Sequence, residues 1–232
     1  MTLYLGSKKV SPTKTITKEV SSMKPFFNAG GKCGNSTATS FEGIIQYSDT
    51  SNVTDMNNMF DSCSKLTTIP QLDTSNATSM DSMFNYCSKL TTIPQLDTSN
   101  VTNMNSMFSS CTSLTSIPQL DTSNVTDMYS MFYYCYRLTS IPQLDTRNVT
   151  SMDSMFDYCP RLEEIHMINM KVSFDIQYST KLTREALLEI INNCYDLTTL
   201  GKTATLTMGS TNLAKLTEED KAIATAKGWT LK

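Results

Sequence analysis

The sequence contains few of the residues on which enzyme active sites depend. Its 232 residues include one histidine, His166, one tryptophan and eight glycines. It has no HExxH motif and no glycine-rich phosphate loop, and no serine or cysteine forms a recognisable pair with the single histidine. We therefore expect no enzyme activity, no cofactor and no catalytic residue, and we expect His166 to be a structural residue of a terminal cap.

Charge and long apolar runs are also scarce. Charged residues make up 18% of the chain, the net charge is −3, and no basic stripe suited to phosphate groups is present. No stretch approaches about 18 apolar residues, and the first residues lack the apolar run of a signal peptide. We therefore expect no nucleic-acid partner, no membrane insertion and no signal peptide.

What the sequence does contain is one 24-residue unit that recurs five times between about Asp49 and Ile165. Its clearest copy, LDTSNVTDMYSMFYYCYRLTSIPQ, runs from Leu120 to Gln143. Leu, Asn and Cys at fixed offsets with a period of roughly 20–29 residues are typical of leucine-rich repeats. We predict an α/β solenoid, which is a leucine-rich-repeat-like, right-handed stack of short parallel strands and short helices with N- and C-terminal caps.

Each unit predicts a helix, a strand and a turn. Apolar residues from Met80 to Leu90 follow the spacing of one helix face, and Thr78 is a suitable N-cap. The segment from Leu90 to Ile93 predicts a short strand whose threonines face outward. Pro94 limits the length of this strand, because proline has no backbone N–H to donate. The DTSN sequence that ends at Asn100 predicts a turn, and we expect the asparagine to be partly buried and to bond the next coil.

Four segments follow from this pattern. Residues 1–25 predict an N-terminal arm or hairpin, with β-like pieces at Leu3–Leu5 and at Thr15 to Val20. Residues 26–48 predict an N-terminal capping half-repeat, and residues 49–165 the five repeats. Residues 166–232 predict a C-terminal cap that has a degenerate repeat and a final helix, which starts with a capping box at Thr217.

Three columns, meaning residues at equivalent positions of successive repeats, suggest chemistry but have structural explanations. We expect the cysteine column to consist of buried free thiols rather than disulfides or a metal site. The aspartate column predicts hydrogen-bonded turns rather than calcium sites, because each turn lacks a second acidic ligand. Asn-x-Thr matches the glycosylation sequon, but the repeat itself requires the asparagine. The cysteine column is Cys63, Cys87, Cys111, Cys135 and Cys159, with Cys194 at the same position of the degenerate repeat. The aspartate column is Asp49, Asp73, Asp97, Asp121 and Asp145.

Tyrosines replace small polar residues in the fourth repeat, and they form the candidate binding site. An exposed tyrosine cluster can stack on a sugar or anchor a partner protein. Tyr129 and Tyr133 are one predicted helical turn apart, Tyr158 aligns with Tyr134 one repeat later, and Arg137 borders the group. Sequence drift at tolerant surface positions is the alternative explanation. The predicted binding residues are Tyr129, Tyr133, Tyr134, Tyr136, Tyr158 and Arg137.

The string DTSNVTDMxxMFxxCxxLTxIP resembles the BspA-like leucine-rich repeats of bacterial surface proteins, specifically the Met-Phe-rich type also found in mycoplasma surface lipoproteins. The resemblance covers residues 48–166. The tail from Leu182 to Trp229, with LTEEDKAIATAKGW, resembles a module that follows such repeats in gut bacterial and phage proteins. The resemblance implies a surface-exposed binding or adhesion module without catalysis.

These observations favour a non-enzymatic recognition or adhesion module that displays a solenoid surface to a protein or glycan, outside the cell, on the cell surface or on a virion. The alternative is a structural spacer or decoration subunit of a phage or cell-surface assembly, which would self-associate through its tyrosines. A third hypothesis is an intracellular effector that binds host proteins.

Overall fold

The structure, a computed structural model, describes residues 50–232 and two short strands near the N-terminus. Strand β1 (Leu3–Leu5) pairs in antiparallel fashion with β2 (Lys8–Val10), and Leu3 lies opposite Val10. The second β-like piece that the sequence predicts, at residues 15–20, lies outside the described residues. So does the predicted capping half-repeat at residues 26–48.

Successive repeats stack on one another and are joined by backbone hydrogen bonds along one side. In the second repeat, alternate N–H groups donate to carbonyls 23 residues later, at 2.8–3.0 Å. These donors are Met80, Ser82, Phe84 and Tyr86. Just before them, Ser79 forms a parallel bridge with Asn103, and the equivalent bridge recurs at each step from Asp55 to Ser151. Each inner repeat therefore offers its two neighbours complementary donors and acceptors.

The prediction of a helix from Met80 to Leu90 is wrong, because residues 50–165 contain no helix. Ser82 and Tyr86 have left-handed backbone conformations, with φ of 56° and 57°, and the equivalent residues of the other repeats share them. The Met83 N–H donates to the Met80 carbonyl, and the Cys87 N–H donates to the Phe84 carbonyl. Two tight turns four residues apart bury the same positions as one face of a helix, which explains the misleading spacing.

Hydrogen bonds between repeats explain why the turns prevail over a helix. A left-handed residue other than glycine costs about 1–2 kcal/mol. An isolated helix of two or three turns, however, is only marginally stable in water. The turns direct alternate N–H groups toward the next repeat, where each finds a carbonyl. Bonds to a neighbour on each side thus offset the backbone cost.

The core consists of apolar columns, of which the phenylalanine column is the largest in side-chain volume. Neighbouring rings are nearly parallel, with centroids 5.5–5.9 Å apart, a separation favoured for stacked aromatic side chains. All five rings are fully buried. The column is Phe60, Phe84, Phe108, Phe132 and Phe156. Methionine, leucine and cysteine columns lie in the same core.

Of the predicted parallel sheet, only the C-terminal end of the stack forms regular strands. Strand β3 (Ser140–Asp145) pairs with β4 (Glu164–Ile168) in parallel, with a register shift after Ile141. Between residues 50 and 139, the equivalent segments are not assigned as strands. Their pairing is sparse there, as in the 3.3 Å bond from the Thr91 N–H to the Thr67 carbonyl.

Threonine, and not asparagine, is the buried polar residue of the turns. The Thr74 hydroxyl donates to the Asp97 carbonyl and accepts from the Asp97 N–H, both at 2.8 Å. Thr74 is only 2% exposed. Asn100 is exposed, contrary to the prediction, and its Nδ2 donates to the Ser75 carbonyl of the preceding coil. Both side chains therefore join consecutive coils.

The C-terminal region adds a second, three-stranded parallel sheet and three helices. The strands, in spatial order, are β5 (Phe174–Asp175), β6 (Ala204–Thr207) and β7 (Trp229–Leu231). The helices are α1 (Arg184–Asn193), α2 (Gly209–Leu213) and α3 (Glu218–Ala226), with a 3₁₀ helix at Leu197–Leu200. None of the helices in the described part of the chain is long and apolar enough to span a membrane.

Capping interactions join the first and last helices of this region. The predicted capping box of α3, between Thr217 and Asp220, is confirmed. The Asp220 carboxylate also accepts two hydrogen bonds from the Arg184 guanidinium, at 2.7 and 2.9 Å. Because Arg184 is the first residue of α1, the start of each helix stabilises the other.

Candidate functional site

Five tyrosine rings contact one another at the C-terminal end of the repeats. Tyr134, Tyr158 and Tyr178 form a stack, with centroids 4.3 and 4.6 Å apart and interplanar angles of 26° and 16°. Tyr133 and Tyr136 contact this stack edge-on, and their centroids lie 4.4 and 5.2 Å from that of Tyr134. We call these five residues the tyrosine cluster.

The repeat backbone sets the spacing of the cluster. Tyr134 and Tyr158 have φ values of 59° and 60°, as does Ser110 (60°) at the equivalent position one repeat earlier. Bulky side chains rarely adopt this conformation. Serine and tyrosine share this conformation here, so it is set by the backbone of the repeat and not by the side chain. The side chain at this position can therefore vary.

Two of the predicted site residues lie outside the cluster. The ring of Tyr129 is 44% exposed and contacts none of the five, because the helical turn expected to join it to Tyr133 is not formed. Its N–H is bonded to Asp127 Oδ1 at 2.9 Å. Arg137 is exposed and forms no ion pair with any residue from 50 to 232. The other four predicted tyrosines lie together.

Tyr178 is the cluster residue that the sequence analysis missed. The period of 24 places the next column position after Tyr158 at Leu182, which is fully buried. The tyrosine that stacks on Tyr158 instead follows it by 20 residues. The segment after Ile165 is therefore shorter than a repeat, and periodicity alone gave no signal for Tyr178.

His166 joins strand β4 to helix α1. Its Nδ1 lies 2.7 Å from Oε1 of Glu189, and its Nε2 lies 3.7 Å from Oε2 of Glu164. The hydrogen bond to Glu189 raises the pKa of His166, and both carboxylates add to this effect. These contacts support the structural role that the sequence predicts.

We expect Glu189→Gln to lower the pKa of His166 toward the ordinary value of about 6.5. Since the folded pKa is raised, the wild-type pair stabilises the protein below about pH 6.5, and this stabilisation is lost as the pH rises through the folded pKa. The groups are partly exposed, so the stability difference should stay below about 1 kcal/mol. NMR titration of the single histidine measures the shift, with Glu218→Gln as the control. An unchanged pKa in Glu189→Gln would contradict this assignment.

The cysteine column is buried, and from Cys87 to Cys159 its thiols act as hydrogen-bond donors. The Sγ of Cys159 donates to the Phe132 carbonyl at 3.0 Å, and the equivalent bond recurs in earlier repeats. Burial raises the pKa of Cys159 to about 12, which makes the thiolate scarce at neutral pH. Predicted free thiols are confirmed at Cys87, Cys111, Cys135, Cys159 and Cys194. The prediction is wrong for Cys63, which is disulfide-bonded.

From Asp73 to Asp145, the aspartate column forms hydrogen-bonded turns. Asp97 Oδ1 accepts bonds from the N–H and hydroxyl of Ser99, at 3.0 and 2.7 Å. The hydroxyl bond, followed by the N–H bond, lowers the pKa of Asp97. Across the ranges that the structure describes, no group of three or more His, Cys, Asp or Glu residues is arranged to hold a metal ion.

Comparison with known proteins finds a matching family model and a similar solved structure. A family model described as "Mycoplasma protein of unknown function, DUF285" matches residues 12–92, 29–135 and 66–170 in overlapping alignments. The crystal structure of a leucine-rich repeat protein from T. pallidum is similar over 66% of this chain and 78% of that chain, at 18% identity and a TM-score of 0.40. No curated protein matches the sequence.

Proposed function

The chain belongs to the DUF285 family of Mycoplasma proteins of unknown function, and we propose that it is a non-enzymatic recognition module. In this proposal the stacked repeats form a solenoid on the outer surface of a cell or virion. The solenoid presents the tyrosine cluster to a protein or glycan ligand. The BspA-like resemblance of the repeats supports a surface location, and the buried thiols and paired histidine accord with a non-catalytic role.

The tyrosine cluster is the observation that carries the proposal. Tyr136, Tyr158 and Tyr178 are each more than a third exposed although they pack against other rings. Preformed aromatic groups lose little conformational entropy on binding, which makes tyrosine frequent among the residues that dominate binding energy. The rings lie on a backbone fixed by bonds between repeats, so the surface is organised before a ligand arrives.

We expect Tyr133→Ser/Tyr134→Ser to weaken ligand binding more than tenfold, because removal of central interface aromatics typically costs about 2 kcal/mol or more. Serine occupies the equivalent positions in the preceding repeat, Ser109 and Ser110, so the fold should be retained. Arrays of surface proteins and glycans measure the binding. Tyr86→Ser is the control, since Tyr86 is 58% exposed but lies outside the cluster.

Light scattering on the same proteins separates recognition from the structural alternative. A recognition module should be a monomer or small oligomer whether or not the tyrosines are present. A large wild-type assembly that the double variant converts to monomers would instead make the cluster a contact between subunits. Array binding that the double variant retains in full would contradict the proposal.

A further inference from the structure

One edge of the tyrosine cluster carries carboxylates. The Tyr134 N–H donates to the backbone carbonyl of Asp157 at 2.9 Å, and Asp157 occupies the column position of Tyr133 in the next coil. Its carboxylate forms no ion pair or side-chain hydrogen bond with any residue between 50 and 232. Asp175, in β5, precedes the cluster residue Tyr178 by three residues and accepts two bonds at 2.7 Å from Gln177. The cluster thus has an acidic border with one unpaired carboxylate.

The charges of these carboxylates act on the tyrosine cluster and on each other. A hydrogen bond with Tyr158 raises the pKa of Tyr178, and the charges of Asp157 and Asp175 raise it further. Desolvation raises the pKa of Asp175, and the charge of Asp157 adds to it. Asp157 therefore lies within electrostatic reach of the rings and of the second carboxylate. A cation bound between the two aspartates would relieve their mutual repulsion.

The geometry of the stack disfavours a sugar at its centre. Tyr134 and Tyr178 each stack on Tyr158, so both faces of the central ring are covered. A sugar that stacks on an aromatic side chain needs an open ring face. The long side chains of arginine and lysine suit the surface better, because their apolar stems pack on rings while the charged head reaches a carboxylate.

We propose that the tyrosine cluster, together with Asp157 and Asp175, binds an arginine- or lysine-bearing segment of a partner protein. This inference rests on the proposed function and specifies the chemistry of the ligand. The carboxylates hold the guanidinium or ammonium group, and the rings of Tyr133 and Tyr178 pack against its stem. The net charge of −3 favours the approach of such a segment over longer distances.

A fluorescently labelled hexa-arginine peptide tests the inference by anisotropy, with a hexaglutamate peptide as the negative control. We expect Asp157→Asn to weaken binding about fivefold and the double variant Asp157→Asn/Asp175→Asn to weaken it further. Asparagine already occupies this column position at Asn85, so the fold should be kept. Asp73→Asn removes an equal charge from a distant turn and should leave the affinity unchanged. Raising the salt concentration should weaken wild-type binding.

Three outcomes would overturn the inference. If the wild type and Asp157→Asn bind the hexa-arginine peptide equally well, the carboxylate has no role. If Asp73→Asn loses as much affinity as Asp157→Asn, the loss reflects only the change in net charge. An array ligand whose binding requires Tyr133 and Tyr134 but not Asp157 would leave the proposed function intact and refute the basic partner. If neither the tyrosine variants nor the aspartate variants lose array binding, the proposed function itself is refuted.

Discussion

Replacing Phe108 with alanine is expected to lower the free energy of unfolding by about 3–5 kcal/mol. The ring is fully buried, and its centroid lies 5.6 Å from that of Phe84 and 5.8 Å from that of Phe132. The truncation therefore removes two ring contacts and leaves a cavity in the middle of the stack. Backbone bonds to both neighbouring repeats limit how far the coil can collapse into that cavity. Urea denaturation followed by circular dichroism measures the loss.

Phe108→Leu is the matched variant for this experiment. Leucine restores much of the buried volume, so we expect a loss of less than about 1.5 kcal/mol. The difference between the two variants isolates the effect of the cavity from the loss of aromatic stacking. An alanine variant that loses less than about 1 kcal/mol would show that the phenylalanine column does not hold the repeats together.

Replacing Thr122 with valine is expected to cost about 2 kcal/mol, because it leaves two buried backbone groups without a partner. The Thr122 hydroxyl donates to the Asp145 carbonyl at 3.0 Å and accepts from the Asp145 N–H at 2.8 Å. Valine has nearly the same shape, so the change removes the hydrogen bonds with little change in packing. Thr122 is 2% exposed, and water cannot readily replace the hydroxyl. Chemical denaturation measures the change.

Two further variants serve as controls for Thr122→Val. Thr126 lies four residues later and donates to the preceding coil, at the Thr102 carbonyl at 3.0 Å, whereas Thr122 bonds the following coil; Thr126 is exposed. We expect Thr126→Val to change stability by less than about 0.5 kcal/mol, because water can satisfy the carbonyl. Thr122→Ser keeps the hydroxyl and should recover most of the stability. Similar losses in Thr122→Val and Thr126→Val would rule out the buried bonds as the cause.

The sequence predicted burial in the repeats better than it predicted backbone conformation. Met80, Met83, Phe84, Cys87 and Leu90 were expected to share one buried face, and all five are fully buried. The helix inferred from that spacing is absent, because left-handed residues at Ser82 and Tyr86 convert it into two turns. Neither residue type signals such a conformation within a single repeat. Only the bonds between stacked copies favour it, and these are not visible in the local sequence.

The same distinction applies to the candidate site. Tyr134 and Tyr158 occupy equivalent positions of neighbouring repeats, which predicts that they lie side by side. Their stacked rings confirm this contact. Helical spacing predicts that Tyr129 joins Tyr133, and this prediction is wrong because the helix is absent. Tyr178 was missed because it belongs to the segment where the period ends. Sequence periodicity therefore identified contacts within columns, whereas contacts between the repeats and the C-terminal region required the structure.

The pairing from one repeat to the next makes the length of this molecule a discrete quantity. Alternate N–H groups donate to carbonyls 23 residues later, within a unit of 24 residues. Gain or loss of a whole unit leaves every other coil with its partners, whereas a change of any other size puts donors and acceptors out of register. Duplication within the gene can therefore lengthen the chain by whole coils. The tyrosine cluster lies at the last repeats and the segment after them, so its distance from the first coil can evolve without any change in the cluster itself.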